Sequence, residues 1–327
     1  MHQVTIIIPI LNEERFIAKC LDSVIAQSYP LEYMDIVVVD GGSKDKTWEI
    51  VQEYHKKYEN IRLLHNPGRI QSIAFNIGVK ESSAPYIVRL DAHALYHERY
   101  IELCVKRLEE DSQRGNVGGM WNIVPQNSSI WAETNAILNY SKFGIGGASF
   151  RVGAEAGNVD TVPFGAFPRR VIEEIGGMRE DLPRGEDNEF NSRIKKAGYN
   201  IYFNPEIVCT YFARPTLKAS AKQMYANGES IGILHYIDRE AIGLRHMIPL
   251  IFVVGLILGA ILSIAFNPFV YVYLAGLGLY FLCDLFASLQ CTLKHGMKFM
   301  FPLFILFFVV HVSYGLGTIK GLIKRKY

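Results

Sequence analysis

Tyr86-Ile87-Val88-Arg89-Leu90-Asp91-Ala92-His93 reads as a buried strand that runs out of apolar residues and delivers a carboxylate and an imidazole two positions apart. Residues i and i+2 of an extended chain point to the same side, so Asp91 and His93 can converge on one divalent cation. In open α/β sheets the carboxyl ends of strands are where ligands sit. Mixed oxygen and nitrogen ligation suits Mn2+ somewhat better than Mg2+. Taken alone, the pair reads first as a polar strand end with a chance histidine, and the rest of the chain has to decide between the two.

Other strand ends carry related chemistry. Val4–Ile10 is an apolar run that delivers Pro9, Asn12 and Glu13, and Ile36–Val39 is another, ended by Asp40-Gly41-Gly42-Ser43. An acid beside two glycines can bond the hydroxyls or imide of a nucleoside that approaches closely. Between these runs, Phe16–Ile25, a segment bearing Trp48, Val51 and Tyr54, and Ile70–Val79 return to helical spacing; Ile61–Leu64 is a third, shorter strand. Continuous apolar strands alternating with helices mean a parallel sheet covered on both faces, an α/β fold. No GxGxxG follows the first strand and no GxxxxGK[ST] occurs, so neither a dinucleotide fold nor a P-loop is indicated. Gly144-Ile145-Gly146-Gly147 follows no strand and reads as a flexible loop.

Composition narrows the class. The chain has 327 residues and a net charge of +2, which argues against nucleic acid as a partner. Its apolar residues are uneven. From Met247 to Leu293 the only charged residue is Asp284, and Phe299–Ile319 holds none, only His311. Windows of this length are long enough to span a bilayer as helices. The amino terminus has no basic n-region and an apolar run too short for a signal peptide, so the head is expected in the cytosol. Five scattered cysteines without CxxC spacing read as reduced thiols.

In the second half, Pro183-Arg184-Gly185-Glu186-Asp187-Asn188-Glu189-Phe190 opens a helix with Phe190, Ile194 and Ala197 on its apolar face, ending at Gly198. By itself the Glu186-Asp187 pair is a helix cap favoured by the dipole. Arg193 follows Glu189 by four, the spacing of a helix ion pair. Trp121 and Trp131 flank a Pro/Asn-rich loop, and burial is expected of both.

Pro9-Ile10-Leu11-Asn12-Glu13, Val39-Asp40-Gly41-Gly42-Ser43-Lys44-Asp45-Lys46-Thr47, Gly68-Arg69 with Asn76-Ile77-Gly78, and Leu90-Asp91-Ala92-His93 resemble the ordered motifs of family 2 glycosyltransferases. The branch is similar to the succinoglycan-type membrane glucosyltransferases of exopolysaccharide assembly. There Asp-Ala-His replaces the commoner Asp-x-Asp, and Val159–Phe167 is similar to a typical segment. The resemblance covers residues 4–235 and implies a GT-A fold with a mostly parallel sheet. It implies a nucleotide-sugar donor, a UDP-sugar by preference, bound by Pro9, Asn12, Glu13, Asp40, Gly41, Gly42, Arg69, Asn76, Asp91 and Ala92. Asp91 and His93 would hold Mn2+ or Mg2+, and Phe164, Gly165 and Ala166 would meet the acceptor. The resemblance also makes Asp187 the general base and Glu186 the neighbour that positions the acceptor, in a single displacement with inversion. A glycosidase needs two opposed carboxylates, whereas transfer from a metal-bound diphosphate needs one base. Gln223-Met224-Tyr225-Ala226-Asn227 lacks the Arg and Trp of the Gln-x-x-Arg-Trp motif of processive synthases, which implies one sugar per reaction.

The expected organisation is a GT-A domain over 1–214, an amphipathic interfacial connector over 215–245 and a helical membrane domain over 246–327. Its three hydrophobic segments are Ile248–Phe266, Phe269–Leu289 and Phe299–Ile319. Asp284 and His311, ionisable groups inside such segments, could pair with each other or touch a lipid phosphate. A multi-pass protein of the inner membrane with a cytosolic head implies a polyprenyl-linked saccharide acceptor and contact with membrane lipids. Polyprenyl phosphate itself is the near alternative acceptor, and a non-catalytic nucleotide-sugar-binding scaffold the distant one.

Overall fold

The four apolar runs form the parallel half of one nine-stranded mixed sheet in the computed structural model, which describes residues 2–327. They are β1 (Val4–Ile10), β2 (Met34–Asp40), β3 (Ile61–His65) and β4 (Tyr86–Arg89). β1 lies between β2 and β4, with Ile7 in register with both Val37 and Arg89, and β3 pairs with β2. β1 and β2 are buried along their whole length, which is why they read as unbroken apolar runs. Helices α1 (Ile17–Ile25), α2 (Thr47–Lys57) and α3 (Gln71–Lys80) connect them.

Beyond β4 the sheet includes antiparallel pairings. β5 (Ala94–Tyr96), β6 (Arg114–Pro125), β7 (Gly157–Asn158), β8 (Ala166–Pro168) and β9 (Asn200–Ala213) complete the order β3-β2-β1-β4-β8-β6-β9-β5, with β7 on β9. β8 pairs antiparallel with β4, Ala166 opposite Val88. Helices α4 (Tyr100–Glu109), α5 (Ile130–Asn139), α6 (Lys142–Ile145), α7 (Ser149–Val152), α8 (Arg169–Ile175) and α9 (Glu186–Lys196) occupy the connections. A trio of edge-on rings, Phe75 of α3, Phe167 of β8 and Phe190 of α9, holds three elements together at centroid distances of 5.3–6.0 Å. That packing fixes the start of α9 against the sheet. Phe190 and Ile194 are buried as expected, but Ala197 is exposed; the buried face continues through Asn191 and Ser192 instead.

The chain divides into two compact units, 1–122 with 148–211, and 123–147 with 212–327. The second contains α10 (Leu217–Ile237), α11 (Ile248–Ala265), α12 (Phe269–His295) and α13 (Met300–Lys324). Three stretches, Leu244–Ala265, Phe269–His295 and Met297–Lys324, are long and apolar enough to cross a membrane. α10 lies along α13 at backbone contact. Side chains at Gly228 or Gly232 would strike carbonyls of α13, and side chains at Gly317 or Gly321 would strike those of α10. Glu229 of α10 closes the same interface through Lys320 (2.9 Å) and Lys324 (3.3 Å).

Two expectations in this unit are corrected. The Gly144–Gly147 segment is not all loop: Ser141 caps a helical turn by accepting the Gly144 N–H, so α6 runs to Ile145. Asp284 and His311 do not pair with each other. Asp284 accepts from the Ser288 hydroxyl on its own helix at 3.2 Å, while His311 joins the Tyr280 hydroxyl at 2.9 Å to the Phe143 carbonyl at 2.8 Å.

Candidate active site

In the order β3-β2-β1-β4 the chain leaves β1 on one side toward β2 and later returns to its other side as β4. A crevice opens outside the carboxyl ends at such a reversal. The loops after β1 and β2 are laced together beside it. Asn12, at φ +57, accepts the Lys44 N–H at 2.8 Å, and its own N–H donates to the Ser43 hydroxyl. The Glu13 N–H donates to the Thr47 hydroxyl at 2.7 Å. Asp40 spends its carboxylate on the backbone N–H groups of Gly42 and Ser43 and on the Ser43 hydroxyl, so here it braces the loop. Gly41 faces the backbone of Arg69, which turns at φ +64. Pro9 lies within buried β1, and Ala92 is buried beside Asp91. Asn76 stands apart: its amide clips the Met178 backbone in both directions and reaches Glu180, which is structural bonding.

The residue that sequence reasoning missed is Arg89. It is the last residue of β4, only 6% exposed, and three carboxylates surround it. Its guanidinium bonds Asp187 and lies 3.6 Å from Glu186 and 3.4 Å from Asp91. Burial alone would pull its pKa down, but the charges of Asp187, Asp91 and Glu186 together raise it. A buried cation of this kind is tolerable because it is paired on several sides. A signal was available: Arg89 is two residues before Asp91, so the same-side argument that joined Asp91 to His93 also applied to it.

Glu186 and Asp187 do not cap α9. Gly185 holds the cap position at φ +85, and both acids lie in the first turn, where the helix dipole favours negative charge. Their environments differ. Glu186 is 7% exposed, and burial, with the adjacent Asp187 charge, pushes its pKa up to about 7 despite Arg89. Asp187 is 48% exposed. The pair thus offers one carboxyl held near neutrality inside the protein and one carboxylate open to a substrate.

At the crevice, Glu13 Oε1 lies 3.1 Å from His93 Nδ1. A carboxylate at that distance holds the proton on Nδ1 and leaves the ring's lone pair on Nε2, the second-sphere arrangement of metal-binding histidines. Asp91 is fixed next door: its N–H meets the Tyr96 hydroxyl at 2.7 Å, and its carbonyl accepts from Tyr96 and Cys20. A carboxylate and an oriented imidazole, beside more carboxylates than Arg89 can neutralise, fit a divalent cation by donor chemistry and by charge. No three His, Cys, Asp or Glu side chains gather as a ready-made cage among the described residues, so remaining ligands would be diphosphate oxygens and water.

Phe164, Gly165 and Ala166 arrive on the antiparallel neighbour of β4. The Gly165 carbonyl accepts the Arg89 N–H at 3.0 Å, and the Phe164 carbonyl accepts from Tyr100 at 3.0 Å. Beneath them runs a buried polar chain, Asn116 to Asn191 at 2.8 Å and Asn191 to Thr161 at 3.0 Å. Trp121 is buried and stacks on Tyr211 at 4.1 Å; Trp131 is half-buried.

A mixed sheet with a switch-point crevice, acids at its strand ends and a trailing set of apolar helices defines a GT-A glycosyltransferase architecture. The fold agrees with a mannosyltransferase from Pyrobaculum calidifontis solved with GDP-Man and Mn2+, at a TM-score of 0.62 and 19% identity over 95% of this chain and 86% of that one. Residues 5–176 match Glycosyl transferase family 2, and the chain belongs to that family. Among its relatives, a Methanococcus voltae enzyme is 31% identical over 99% of this chain and 98% of its own length. It is named dolichyl N-acetyl-alpha-D-glucosaminyl phosphate 3-beta-D-2,3-diacetamido-2,3-dideoxy-beta-D-glucuronosyltransferase. Succinoglycan biosynthesis protein ExoA of Rhizobium meliloti is 31% identical over 79% of this chain and 78% of its own. The chain is a glycosyltransferase, and its helices mark it as a membrane protein.

Proposed function

We propose that this protein is a membrane-bound inverting glycosyltransferase that moves one sugar from a UDP-sugar to a saccharide carried on a polyprenyl phosphate or diphosphate. The observation that carries the reading is the reach of Arg89. One guanidinium joins Asp91, at the expected donor end, to Glu186 and Asp187, at the expected acceptor end. Asp187 then takes the proton of the attacking hydroxyl, and Glu186 behind it positions the acceptor. Arg89 holds both acids in register with Asp91. Asn12, Glu13, Gly41, Gly42 and Arg69 line the nucleotide side, where the β1 and β2 loops are laced together. The Phe164–Ala166 strand, bonded to the Arg89 backbone, forms the acceptor wall. A divalent cation held by Asp91 and His93 would supply Lewis-acid stabilisation of the departing diphosphate, worth several kcal/mol.

The Methanococcus relative's name specifies a sugar on dolichyl phosphate as acceptor, which supports a lipid-borne hydroxyl here too. We propose the same for localisation: residues 1–214 face the cytosol, 215–245 connect, and 246–327 anchor the enzyme. Lys320 and Lys324 in the last turns of α13, with Arg325 and Lys326 beyond it, favour the cytosolic side for that end of the helix, which three full crossings would not give, so we propose that one segment is re-entrant or interfacial.

The test is incubation of detergent-purified protein with a panel of nucleotide sugars, a polyprenyl-linked saccharide pool and Mn2+ or Mg2+. Product mass and the released nucleotide identify donor and acceptor. Transfer to bare polyprenyl phosphate alone would replace this reading with the lipid-phosphate sugar synthase. Neither transfer nor metal-dependent donor hydrolysis would leave the scaffold.

A further inference from the structure

We propose that the side-chain amide of Gln71 binds the transferred sugar, donating to one of its substituent oxygens and so selecting which nucleotide-sugar is accepted. This rests on the transferase reading above and gives the sugar itself a binding residue. Gln71, Arg89, Asp91 and Asp187 all belong to the first compact unit.

Gln71 is the first residue of α3, and that helix is rigidly seated. A Cβ at Gly78 would stand 2.7 Å from Ile7 of β1, so α3 lies on the sheet at glycine distance. The Phe75 ring packs edge-on against Phe167 at 5.8 Å and Phe190 at 6.0 Å. The first turn of α3 is thereby fixed both to the sheet and to α9, the helix that carries Glu186 and Asp187. The chain enters that turn through Ile70, whose carbonyl accepts from the Asn66 amide at 2.9 Å. Binding groups on such an element keep their geometry better than groups on loops.

Arg89 orients the amide. Gln71 Oε1 accepts from Arg89 Nη2 at 3.4 Å, and the same Nη2 lies 3.4 Å from Asp91 Oδ1. One nitrogen faces an amide oxygen and a carboxylate oxygen at once, so Gln71 and Asp91 stand side by side. A guanidinium has only donors, so the amide turns its oxygen toward Arg89 and its NH2 away. No protein group among the described residues takes those two protons. The amide nitrogen is not one of the buried atoms that lack a partner either, so it opens to solvent.

The proposed reaction decides what reaches it. Displacement with inversion needs the departing diphosphate and the attacking hydroxyl on opposite sides of the anomeric carbon. In the site proposed above the diphosphate departs on the Asp91 side, and the hydroxyl gives its proton to Asp187. The sugar then lies along the Arg89 guanidinium, whose Nη1 bonds Asp187 and whose Nη2 faces Asp91 and Gln71. Asp91 and Asp187 as carboxylates only accept, and the Nη groups of Arg89 are spent on them. Gln71 supplies an open, neutral donor beside this span. A sugar hydroxyl or an acetamido carbonyl is the chemistry it fits.

The experiment uses the full-length protein in detergent with Mn2+. Calorimetry measures affinity for UDP and for UDP-glucose, UDP-N-acetylglucosamine and UDP-glucuronate, followed by deoxy analogues of the tightest binder. Gln71→Glu and Gln71→Leu are compared with wild type. Glutamate keeps an oxygen on Arg89 and loses the N–H donors, whereas leucine loses both. A side chain that merely steadies Arg89 is therefore rescued by glutamate, and one that binds sugar is not. The readout is the ratio of UDP-sugar to UDP affinity, in which effects on the nucleotide and the cation cancel. Both variants are expected to lower that ratio about tenfold. One deoxy analogue should bind wild type about tenfold more weakly than its parent, and the variants should no longer tell the two apart. A wild-type ratio in Gln71→Glu would overturn the proposal, as would variants that still reject the same analogue. If wild type binds no UDP-sugar, the transferase reading fails and this inference with it; binding that both variants leave unchanged overturns this inference alone.

Discussion

Glu186→Gln should stabilise this protein, and by an amount that depends on pH. The carboxyl has an ordinary value of 4.5 and is pushed up to about 7 in the folded state by burial, then by the Asp187 charge, with Arg89 opposing. Below about pH 4.5 it is neutral folded or unfolded and costs nothing. Between 4.5 and about 7 the folded protein binds more protons than the unfolded chain, so stability falls as pH rises. Above about 7 the full penalty is present. At ~1.36 kcal/mol per pH unit, the gap amounts to about 3 kcal/mol at pH 8 and about 1 kcal/mol at pH 5. Glutamine keeps the shape and removes the titration, while Asp91 and Asp187 still pair with Arg89. In thermal unfolding followed by tryptophan fluorescence in detergent, the variant should melt roughly 4–5 °C above wild type at pH 8. The difference should shrink to about 1–2 °C at pH 5. A pH-independent difference, or a less stable variant at pH 8, would refute the reasoning.

Glu13→Gln weakens the hold on the Nδ1 proton of His93, and it should reduce divalent-cation affinity about 10–100-fold. Calorimetric Mn2+ titration with nucleotide present measures this, with His93→Ala as the companion; unchanged affinity in both variants would remove the two residues from the metal's surroundings. Gly228→Val inserts a side chain where α10 meets the Tyr314 carbonyl, and should cost about 1–3 kcal/mol, read as a lower melting temperature. A wild-type melting curve would show that the α10–α13 contact can open without loss.

The parallel half of the sheet was legible because β1, β2 and β4 are buried on both sides, and burial leaves a continuous apolar run in the sequence. The rest of the sheet was not. β5 and β8 are three residues long and exist because β9 and β4 offer them partners, which no local pattern announces. The acids at the strand ends were visible as residue types. Their fates were set by neighbours distant in sequence: Asp40 by the Gly42–Ser43 turn, Asn76 by Met178, and Glu186 by the Phe75–Phe167–Phe190 packing that buries the first turn of α9. Arg89 escaped notice because a lone arginine between Val88 and Leu90 reads as an interruption. Only the topology, which brings β4 beside the start of α9, shows that it is a junction. The α6 turn was hidden by its glycines, whose usual loop preference loses to the Ser141 cap and the Phe143 anchor.

The most direct test of the account is Asp187→Asn, assayed for single-sugar transfer to a polyprenyl-linked saccharide while donor binding is measured by calorimetry on the same preparation. Turnover should fall roughly 10²–10⁴-fold with donor affinity nearly unchanged, because the substitution removes a proton acceptor and leaves the nucleotide side intact. Near-wild-type turnover would contradict the assignment of Asp187 as the base and, with it, the active site built around Arg89.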